Sequence, residues 1–458
     1  MALNALDRHL ALIGFMGAGK STLVPDVAAR LGRPGRDVDE NATQLIEEKG
    51  LDAFRLVEEE VTIRALGLRR PHAYALGGGA VTSEHVRGAL RDGAFTVLLD
   101  VSVDDAWARM HGTDRPLAHE EAVFRRLYAE RESLYRKCAD GVAADLDGVV
   151  LTAAGVHYEL AALERLGDLV PGDGPVALVA DATVAGIYGP RAQEALGDRL
   201  ASVHEVPAGE EAKQLRVAER HWSELRLDRN GTVVALGGGV TTDLAGYVAA
   251  AYLRGVAWVP VPTTGVGQVD AAIGGKTAID LPEGKNLVGA FHWPARTVID
   301  PALLETLPER ERRQGLAEHV KTELLAGRSL DGRGAAAYKA GLCLRDPHDR
   351  GARQWLNLGH TFAHALEAGT DFALAHGDAV ALGLLAALRL SSRDTAPVVD
   401  ALDPQPVAAD RERAWAALLR DKKRSGDEIN LVLLGDHGPA VEARPADEVR
   451  SALNSLIA

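Results

Sequence analysis

GFMGAGKST (Gly14–Thr22) decides the fold of the first part of the chain. It stands between the apolar run LALIGF (Leu10–Phe15), a predicted strand, and a helical pattern that ends at Gly32. Two further apolar runs, HAYALGGGAVT (His72–Thr82) and AFTVLLDVS (Ala94–Ser102), are predicted strands with helical patterns between them. Alternating strands and helices are typical of a parallel α/β sheet. The first part of the chain is therefore predicted to be a doubly wound parallel sheet flanked by helices.

A second α/β region and then a helical region follow. PVALVAD, GTVVALGGG and AWVPVPTT are further strands of parallel-sheet character, and the patterns become helical from Leu303 onward. VPGDGP (Val170–Pro175) combines Pro and Gly in a polar setting, which favours a boundary near this point. The chain is predicted to divide into a phosphate-binding domain (1–150), a linker or eroded start of the second unit (151–172), an α/β dinucleotide-binding domain (173–302) and a helical metal- and substrate-binding domain (303–458).

The composition limits the classes of function. The chain has 458 residues, of which 47% are apolar, so it can bury more than one core. A net charge of −14 argues against a nucleic-acid partner, because nucleic-acid backbones need a basic surface. Cys138 and Cys343 are the only cysteines, and the longest apolar stretch, around 379–388, is too short to span a bilayer. We expect a cytoplasmic enzyme with small-molecule substrates and no membrane or nucleic-acid partner.

The glycine-rich stretch at the start has the GxxxxGK[ST] pattern of a phosphate-binding loop. Its glycines let successive backbone N–H groups point at a phosphate, and the helix that follows presents its positive end. Lys20 is expected to reach the β- and γ-phosphates, and Ser21 to bind Mg²⁺. The predicted ATP-binding residues of the loop are Gly14, Gly17, Gly19, Lys20, Ser21 and Thr22.

Charged residues further along this domain predict what the ATP phosphorylates. Asp37 and Asp39 follow a second predicted strand, so one can hold the water shell of Mg²⁺ and the other a substrate hydroxyl. Arg55, Arg115 and Arg131, with the glycines Gly77–Gly79, together favour a small carboxylate, because the guanidinium fork suits that planar anion.

The second unit carries candidate metal ligands in its helical region. They are Glu318, His360, His364 and His376. HTFAH places two of these histidines at i and i+4 on one helix face, and that spacing alone would make both of them ligands. One oxygen and two imidazoles suit Zn²⁺ with open coordination positions, which is typical of a catalytic metal.

The order of motifs over about 1–150 resembles the shikimate kinases. These motifs are GFMGAGKST, DVD, FR, ALGGGAV, DRPL and ERESLYR. The resemblance implies that shikimate is bound by Asp39, Arg55, Gly78, Gly79 and Arg131. It places Arg115 on a lid over the ATP phosphates, makes Lys20, Asp39 and Arg115 catalytic, and gives Mg²⁺ to Ser21 and Asp37. The stretches 39–55 and 115–131 are shorter than in that family.

The motifs over about 170–435 resemble the 3-dehydroquinate synthases. They include PAGEEAK, GGGVTTD, PTTGVGQVDAAIGGKT, GKNLVGAF, GLAEHVK, LNLGHTFAHALE and AHGDAVALG, in one order. The resemblance implies that Glu318, His360 and His376 bind Zn²⁺, with Co²⁺ as the alternative, and that His364 assists proton transfer instead of binding the metal. The segment between Lys321 and Lys339 is shorter than in that family.

The same resemblance supplies the remaining site residues. The residues implied for NAD⁺ are Asp181, Glu210, Lys213, Gly238, Gly239, Asp243, Thr263, Thr264, Lys285, Thr306 and Glu311. The residues implied for the substrate 3-deoxy-D-arabino-heptulosonate 7-phosphate (DAHP) are Asp270, Lys276, Asn286, Lys339, Arg353, Asn357 and Lys422. Asp270, Lys276, Lys321, His364 and Arg254 are implied to be catalytic. Arg254 would come from a neighbouring subunit, so the resemblance implies a homodimer through the synthase unit.

The sequence therefore predicts a bifunctional enzyme that uses ATP with Mg²⁺ to phosphorylate shikimate and uses NAD⁺ and Zn²⁺ to cyclise DAHP to 3-dehydroquinate with release of phosphate. Two alternatives stay open. One is a related sugar-phosphate cyclase with a different substrate. The other is a synthase that carries a catalytically weak, regulatory kinase domain.

Overall fold

The computed structural model describes residues 4–38, 46, 48, 50–113, 120–421, 424–425 and 427–458. The chain forms two compact units. The first comprises Met1–His157 and Ala340–Pro347, and the second comprises Tyr158–Lys339 and His348–Ala458. The division at His157 falls within the segment 151–172, for which the sequence predicts a linker or an eroded start. The bounds of the four predicted segments stay predictions.

The first unit is built on a five-stranded parallel sheet of order β2-β3-β1-β4-β5. Its strands are β1 (His9–Ile13), β2 (Gly35–Asp37), β3 (Ala73–Ala75), β4 (Ala94–Leu99) and β5 (Gly141–Ala143). Its helices are α1 (Lys20–Leu31), α2 (Leu51–Leu66), α3 (Glu84–Gly93), α4 (Val103–Met110), α5 (Glu121–Cys138) and α6 (Leu146–Ala153). All of β1 and β4 is buried, as expected of strands covered on both faces. This confirms the predicted parallel sheet flanked by helices.

An aromatic cluster fixes the loop that joins β1 to α1. Phe15 is 1% exposed and packs edge-on against Phe124 and Tyr128 of α5, with ring centroids 4.9 and 5.2 Å apart. α1 ends at Gly32, whose positive φ of 60° lets its N–H bond back to the carbonyls of the last turn. The loop is thus anchored to the core through Phe15.

The second unit begins with another parallel sheet, of order β10-β9-β7-β8. A short strand, β6 (Val156–Tyr158), stands at the division of the units. The strands of this region are β7 (Val176–Asp181), β8 (Leu200–Val206), β9 (Thr232–Gly237), β10 (Ala257–Pro262), β11 (Lys276–Leu281), β12 (Gly284–Phe291) and β13 (Thr297–Ile299). Its helices are α7 (Leu166–Leu169), α8 (Ala182–Leu196), α9 (Leu215–Glu224) and α10 (Gly239–Ala251). β11 and β12 form a separate antiparallel hairpin.

Part of the segment predicted as a linker packs into the core of this unit. Ala162, Leu163 and Leu166 are completely buried beside residues of the parallel sheet. The carboxylate of Asp300 accepts hydrogen bonds from the N–H groups of Ala161 (2.9 Å) and Leu163 (3.1 Å). This stretch is therefore held to the second unit by both apolar packing and hydrogen bonds.

The C-terminal region is mainly helical, as predicted. Its helices are α11 (Glu309–Ala326), α12 (Gly332–Arg345), α13 (His360–Gly369), α14 (His376–Leu390), α15 (Ala396–Leu402), α16 (Arg411–Asp421) and α17 (Ala446–Asn454). It also contains an antiparallel sheet that the helical pattern did not predict. Its strands are β14 (Arg424–Ser425), β15 (Glu428–Gly435) and β16 (Gly438–Pro445). Within the described ranges, every helix is too short or too polar to traverse a lipid bilayer.

Candidate functional site

The phosphate-binding loop of the first unit has the backbone that its glycines predict. Gly14, Gly17 and Gly19 have φ values of 144°, 82° and 94°, which L side chains rarely adopt. Lys20 is 7% exposed, and its Nζ donates to the carbonyl oxygens of Gly14 (2.7 Å) and Phe15 (3.0 Å). The ammonium group therefore lies inside the loop, where the phosphates of a nucleotide would meet it.

Other predicted ATP and Mg²⁺ residues lie at the same edge of the sheet. Ser21 and Thr22 are exposed in the first turn of α1, and Asp37 is the last residue of β2. The carboxyl ends of β1 and β2 share one edge because the strands are parallel. Arg109 of α4, which the sequence did not single out, donates to the carbonyl of Gly17 (2.9 Å). Asp39 and Arg115 lie outside the described residues.

The predicted shikimate residues are brought together around two glycines. The guanidinium of Arg131 donates to the carbonyl of Gly78 (3.0 Å), as does the hydroxyl of Tyr135. A Cβ on Gly79 would stand 1.9 Å from the guanidinium nitrogen of Arg55, so any larger residue would force this arginine side chain to move. Four of the five predicted shikimate residues are therefore neighbours in two contacting pairs.

An open cleft of about 370 Å³ lies beside Arg55 and Gly79. Its wall includes Glu58, which is 6% exposed and forms an ion pair with Arg55 one turn away on α2. The sequence prediction missed Glu58, although its i,i+3 spacing from Arg55 is the signal that finds it. A cleft of this size with a paired arginine is suited to a small carboxylate.

In the second unit, two features mark the carboxyl ends of the central strands. Asp181 ends β7 and caps α8, because its carboxylate accepts from the N–H groups of Thr183 and Val184 (3.1 Å each). β9 runs directly through Gly238 into α10, which begins at Gly239. A helix N-terminus after a glycine turn is a site for an anionic phosphate.

A chain of ion pairs extends from this edge. The Nζ of Lys213 lies 2.7 Å from the carboxylate of Asp243, and it also contacts Asn286. Lys285 pairs with Glu210 at 3.0 Å. Burial lowers the pKa of Lys213, but Asp243 outweighs this effect and raises it. The network brings together five residues that were predicted to bind NAD⁺ or substrate.

Four other predicted NAD⁺ residues have contacts of their own. The N–H of Thr263 donates to Gly237 (3.0 Å), and the hydroxyl of Thr264 accepts from the N–H of Gly267 (3.1 Å). The hydroxyl of Thr306 bonds to that of Tyr188 (2.7 Å), and Glu311 is exposed in the first turn of α11. Among the described residues, neither Thr306 nor Glu311 forms a hydrogen bond or ion pair with the ion-pair chain.

Three metal-ligand candidates converge on one point. One carboxylate oxygen of Glu318, Oε1, lies 3.3 Å from Nε2 of His360 and 3.2 Å from Nε2 of His376. The three atoms that would bind a metal all lie within 4.8 Å of one another. Glu318 is completely buried. One carboxylate and two imidazoles fit a catalytic Zn²⁺ or Co²⁺ site with open positions.

Glycines allow the helices that carry these ligands to approach. A Cβ on Gly383 of α14 would stand 2.1 Å from the carbonyl oxygen of Gly359, which immediately precedes His360. A Cβ on Gly377 would stand 2.5 Å from Gln314 of α11. Three glycines therefore set the positions of the candidate ligands. They are Gly359, whose φ is 78°, Gly377 and Gly383.

The electrostatics of the cluster follow from its burial. Burial raises the pKa of Glu318, but Lys321 and His360 outweigh it and hold that pKa well below its ordinary value. Burial and Lys321 lower the pKa of His360. His376 also contacts Glu367, whose Oε1 lies 2.9 Å from its Nδ1. The sequence prediction missed Glu367, the last residue of LNLGHTFAHALE.

The i,i+4 spacing does not decide which histidines meet. In the described part of the chain, the three-residue cluster contains His360 and His376 but not His364. The ring centroid of His364 lies 5.7 Å from that of His360, and its side chain is exposed. His364 thus lies beside the cluster with its side chain exposed, and its part in proton transfer stays a prediction.

Predicted substrate-binding cations surround Asp270. Lys339 pairs with Asp270, and the buried Lys321 lies 4.0 Å from the same oxygen while pairing with Glu318. Lys276 pairs with Asp349, a residue that the sequence prediction missed.

The remaining predicted substrate residues are spread along the same region. Arg353 is 1% exposed, and Asn357 follows it in a short 3₁₀ helix. Arg254 is exposed with a positive φ of 70° and makes no side-chain hydrogen bond or ion pair among the described residues. Lys422 lies outside the described residues.

Comparisons with known proteins agree for both units. The family profile of shikimate kinase matches residues 16–149, and those of the N- and C-terminal parts of 3-dehydroquinate synthase match 203–314 and 333–423. A 3-dehydroquinate synthase of Bordetella pertussis is 39% identical over 342 residues, covering 65% of this chain and 95% of that protein. One of Symbiobacterium thermophilum is 44% identical, covering 53% of this chain and 74% of that protein.

Solved structures show the same fold for the second unit. A 2-epi-5-epi-valiolone synthase of Streptomyces hygroscopicus, with NAD⁺ and Zn²⁺ bound, has a TM-score of 0.57 at 26% identity and covers 66% of this chain and 96% of that chain. A 2-deoxy-scyllo-inosose synthase complexed with carbaglucose-6-phosphate, NAD⁺ and Co²⁺ has a TM-score of 0.59 at 24% identity over 66% and 96%. The second of these is a likeness of fold alone.

Proposed function

Because the chain belongs to the 3-dehydroquinate synthase family and carries a shikimate kinase domain in front of it, we propose that it has two activities, each carried by its own set of residues. The activities are phosphorylation of shikimate by ATP and cyclisation of DAHP to 3-dehydroquinate with release of phosphate. The observation that carries the proposal is the convergence of His360 and His376 on one oxygen of Glu318. A family resemblance alone does not guarantee that the ligands meet.

In the kinase, the loop and the shikimate cleft have separate tasks. Lys20 is held within the loop, where it neutralises the charge that develops on the transferred phosphoryl group. Ser21 and Asp37 hold Mg²⁺. Arg55 and Arg131 bind the carboxylate of shikimate, and Glu58 orients Arg55. Asp39 accepts the proton of the hydroxyl that is phosphorylated, and Arg115 covers the phosphates.

In the synthase, Glu318, His360 and His376 would hold Zn²⁺ or Co²⁺, and the ion-pair chain that includes Lys213 and Asp243 would hold NAD⁺. When bound, NAD⁺ would supply reversible hydride transfer at the substrate, and the metal would supply Lewis acidity at the hydroxyl being oxidised.

The surrounding side chains bind the substrate and move its protons. DAHP carries a carboxylate and a phosphate, and Lys276, Lys339 and Arg353 supply the positive charge that both anions need. Lys276 pairs with Asp349 and Lys339 with Asp270, so a bound substrate anion would compete with these two carboxylates for the lysines. His364, exposed beside His360, transfers protons at the substrate.

We also propose that the protein is a cytoplasmic homodimer. Arg254 is exposed without a side-chain hydrogen bond or ion pair among the described residues, and it lies in a short segment in which Leu253 also has positive φ. A guanidinium presented in this way is available to a neighbouring subunit. The synthase site would then be completed by Arg254 of the second copy.

A pair of assays on the purified protein tests the function. We expect phosphate release from DAHP in the presence of NAD⁺ and Zn²⁺, and ADP release that depends on shikimate in the presence of MgATP. Cyclisation of sedoheptulose 7-phosphate but not of DAHP would instead establish the alternative cyclase. Nucleotide binding without shikimate-dependent ADP release would establish the alternative of a regulatory kinase domain.

A further inference from the structure

Glu367 occupies the side of His376 that faces away from the predicted metal position. Nε2 of His376 is directed at Glu318 (3.2 Å), and Nδ1 of the same ring is directed at Oε1 of Glu367 (2.9 Å). Both nitrogens of the imidazole are thus engaged by carboxylates on different helices. Glu367 is 7% exposed, whereas the side chain of His376 is 40% exposed.

The position of Glu367 on its helix explains how it reaches His376. Glu367 follows His360 by seven residues on α13, which is two helical turns, so the two side chains share a face. One helix therefore supplies both a ligand, His360, and the carboxylate that contacts another ligand, His376, at the start of α14. The loop between them is closed by a hydrogen bond from the N–H of Phe372 to the carbonyl of Glu367 (2.7 Å).

A carboxylate at Nδ1 has a definite consequence for an imidazole ligand. It accepts the Nδ1 proton and so leaves the lone pair on Nε2, and it fixes the rotation of the ring. His376 is the most exposed of the three ligand candidates, so its ring is the one least restrained by packing. The contact with the buried carboxylate of Glu367 restrains the ring instead.

We propose that Glu367 is a positioning residue that orients His376 and sets the metal affinity of the Glu318, His360 and His376 site. This inference rests on the proposed function, since it requires that these three residues bind a metal. Glu367 contacts neither the metal position nor the substrate, and it acts through the imidazole.

The test is a measurement of metal affinity, with and without Glu367. Zn²⁺ dissociation constants are obtained by competition with a chromophoric chelator for the full-length protein and for Glu367→Ala and Glu367→Gln. Loss of such a carboxylate is expected to weaken metal binding about 10- to 100-fold. The amide oxygen of Gln still accepts the Nδ1 proton, so Glu367→Gln should lose less than Glu367→Ala.

Asp378→Asn is the matched control. Asp378 lies two residues after His376 in the first turn of α14 and pairs with Arg313 at 3.1 Å on the surface. Like the Glu367 variants, this variant removes one negative charge near His376, but it does so in the first turn of α14 and without touching the imidazole. Its Zn²⁺ affinity should therefore stay within about twofold of the parent, as expected for exposed ion pairs.

The outcomes separate this inference from the proposed function. If His360→Ala loses Zn²⁺ while both Glu367 variants bind it as the parent does, the positioning role is wrong and the metal site stands. If His360→Ala binds Zn²⁺ like the parent, the metal site itself is wrong. A shift in the visible spectrum of the Co²⁺-loaded Glu367→Gln protein, together with an unchanged kinase assay, supports positioning. Equal loss of metal in Asp378→Asn contradicts it, because the effect would then be one of general charge.

Discussion

Gly79 shows at the scale of one residue how little room the proposed shikimate site leaves. Its φ of −103° is accessible to any L residue, so the backbone alone does not demand glycine. The demand comes from Arg55, whose guanidinium occupies the space where a Cβ would stand. The position of Arg55, which we propose binds the substrate, therefore depends on the absence of a side chain at Gly79.

Gly79→Ala should raise the KM for shikimate about tenfold or more, because Arg55 must move away from the new methyl group and lose its orientation. The KM for ATP should change little, since the phosphate-binding loop is a separate set of contacts. The control is Gly88→Ala on α3, where an added Cβ meets nothing within 4 Å. An unchanged shikimate KM in Gly79→Ala, measured by steady-state kinetics, would contradict the assigned role of Arg55.

What the sequence could predict at this scale depends on sequence distance. Lys20 and its glycines form a contiguous motif, so their geometry followed from local spacing. Glu367 and Asp349 are important through contacts with His376 and Lys276, and those contacts depend on how separate elements pack. Their partners could be found only once the helices and the hairpin were placed. The spacing of HTFAH was misleading for the same reason, because the second histidine of the three-residue cluster, His376, lies on another helix.

At the scale of elements, the positions of the candidate metal ligands depend on how closely α13 and α14 approach. Gly383→Ala would place a methyl group against the backbone carbonyl of Gly359, and neither backbone can give way cheaply. We expect about 1–3 kcal/mol of destabilisation and loss of Zn²⁺-dependent phosphate release from DAHP, because His360 begins α13 directly after that carbonyl.

Gly186→Ala on α8 is the control for this change, because nothing lies within 4 Å of the added Cβ and alanine favours a helix. The measurement is the urea midpoint of the second unit together with its synthase activity. A Gly383→Ala protein with parental stability and turnover would show that the helices do not need this close approach.

A buried histidine pair between β8 and α9 predicts the acid sensitivity of the second unit. Burial lowers the pKa of both His204 and His221 from the ordinary 6.5. Nδ1 of His221 bonds to the carbonyl of Val217 (2.7 Å), and the charged groups facing the pair are Glu224 and Arg220. In the folded chain the imidazoles are therefore neutral at a pH where the unfolded chain already binds protons.

The contribution of this pair to the free energy of unfolding should consequently be fully present above about pH 6.5, and it should be lost progressively as the pH is lowered below that value. Urea unfolding between pH 8 and 5 measures the slope. His221→Leu should reduce that slope, whereas His437→Gln, in the exposed turn between β15 and β16, should leave it unchanged. An identical slope in the parent and in His221→Leu would contradict the assignment of neutral, buried imidazole to His221.

At the scale of the whole molecule, the proposed dimer makes a prediction about mixtures of inactive subunits. Arg254→Ala removes the residue given to the partner, and His360→Ala removes a ligand of the subunit's own metal site. In a mixed dimer, the site with intact His360 receives intact Arg254 from the other copy. Co-expression in equal amounts should therefore restore about a quarter of the parental synthase activity, since half of the dimers are mixed and each has one complete site.

Neither variant alone should release phosphate from DAHP at a significant rate. If Arg254 acted within its own subunit, both sites of every mixed dimer would lack a residue and no activity would return. Size-exclusion chromatography with light scattering provides the check that the co-expressed chains form dimers. A dimeric mixture without recovered activity would contradict the assignment of Arg254 to the neighbouring site.

The division of the chain was more predictable than its details. Strand, loop and helix patterns with ordered motifs predicted two α/β regions and a helical region, because each pattern is local. The antiparallel strands β15 and β16 were missed because an apolar run such as INLVLL within a helical region fits either element. The packing of Ala162–Val170 into the second unit could not be predicted from the local sequence pattern either, since it depends on the distant Asp300.

The most direct test of the account is the reciprocal pair Lys20→Ala and His360→Ala, each measured in both assays on the full-length protein. Lys20→Ala should abolish shikimate-dependent ADP release and leave phosphate release from DAHP unchanged, and His360→Ala should do the reverse, because each residue belongs to the site of a different unit. Retention of phosphate release by His360→Ala, or loss of both activities in either folded variant, would contradict two separate active sites on one chain.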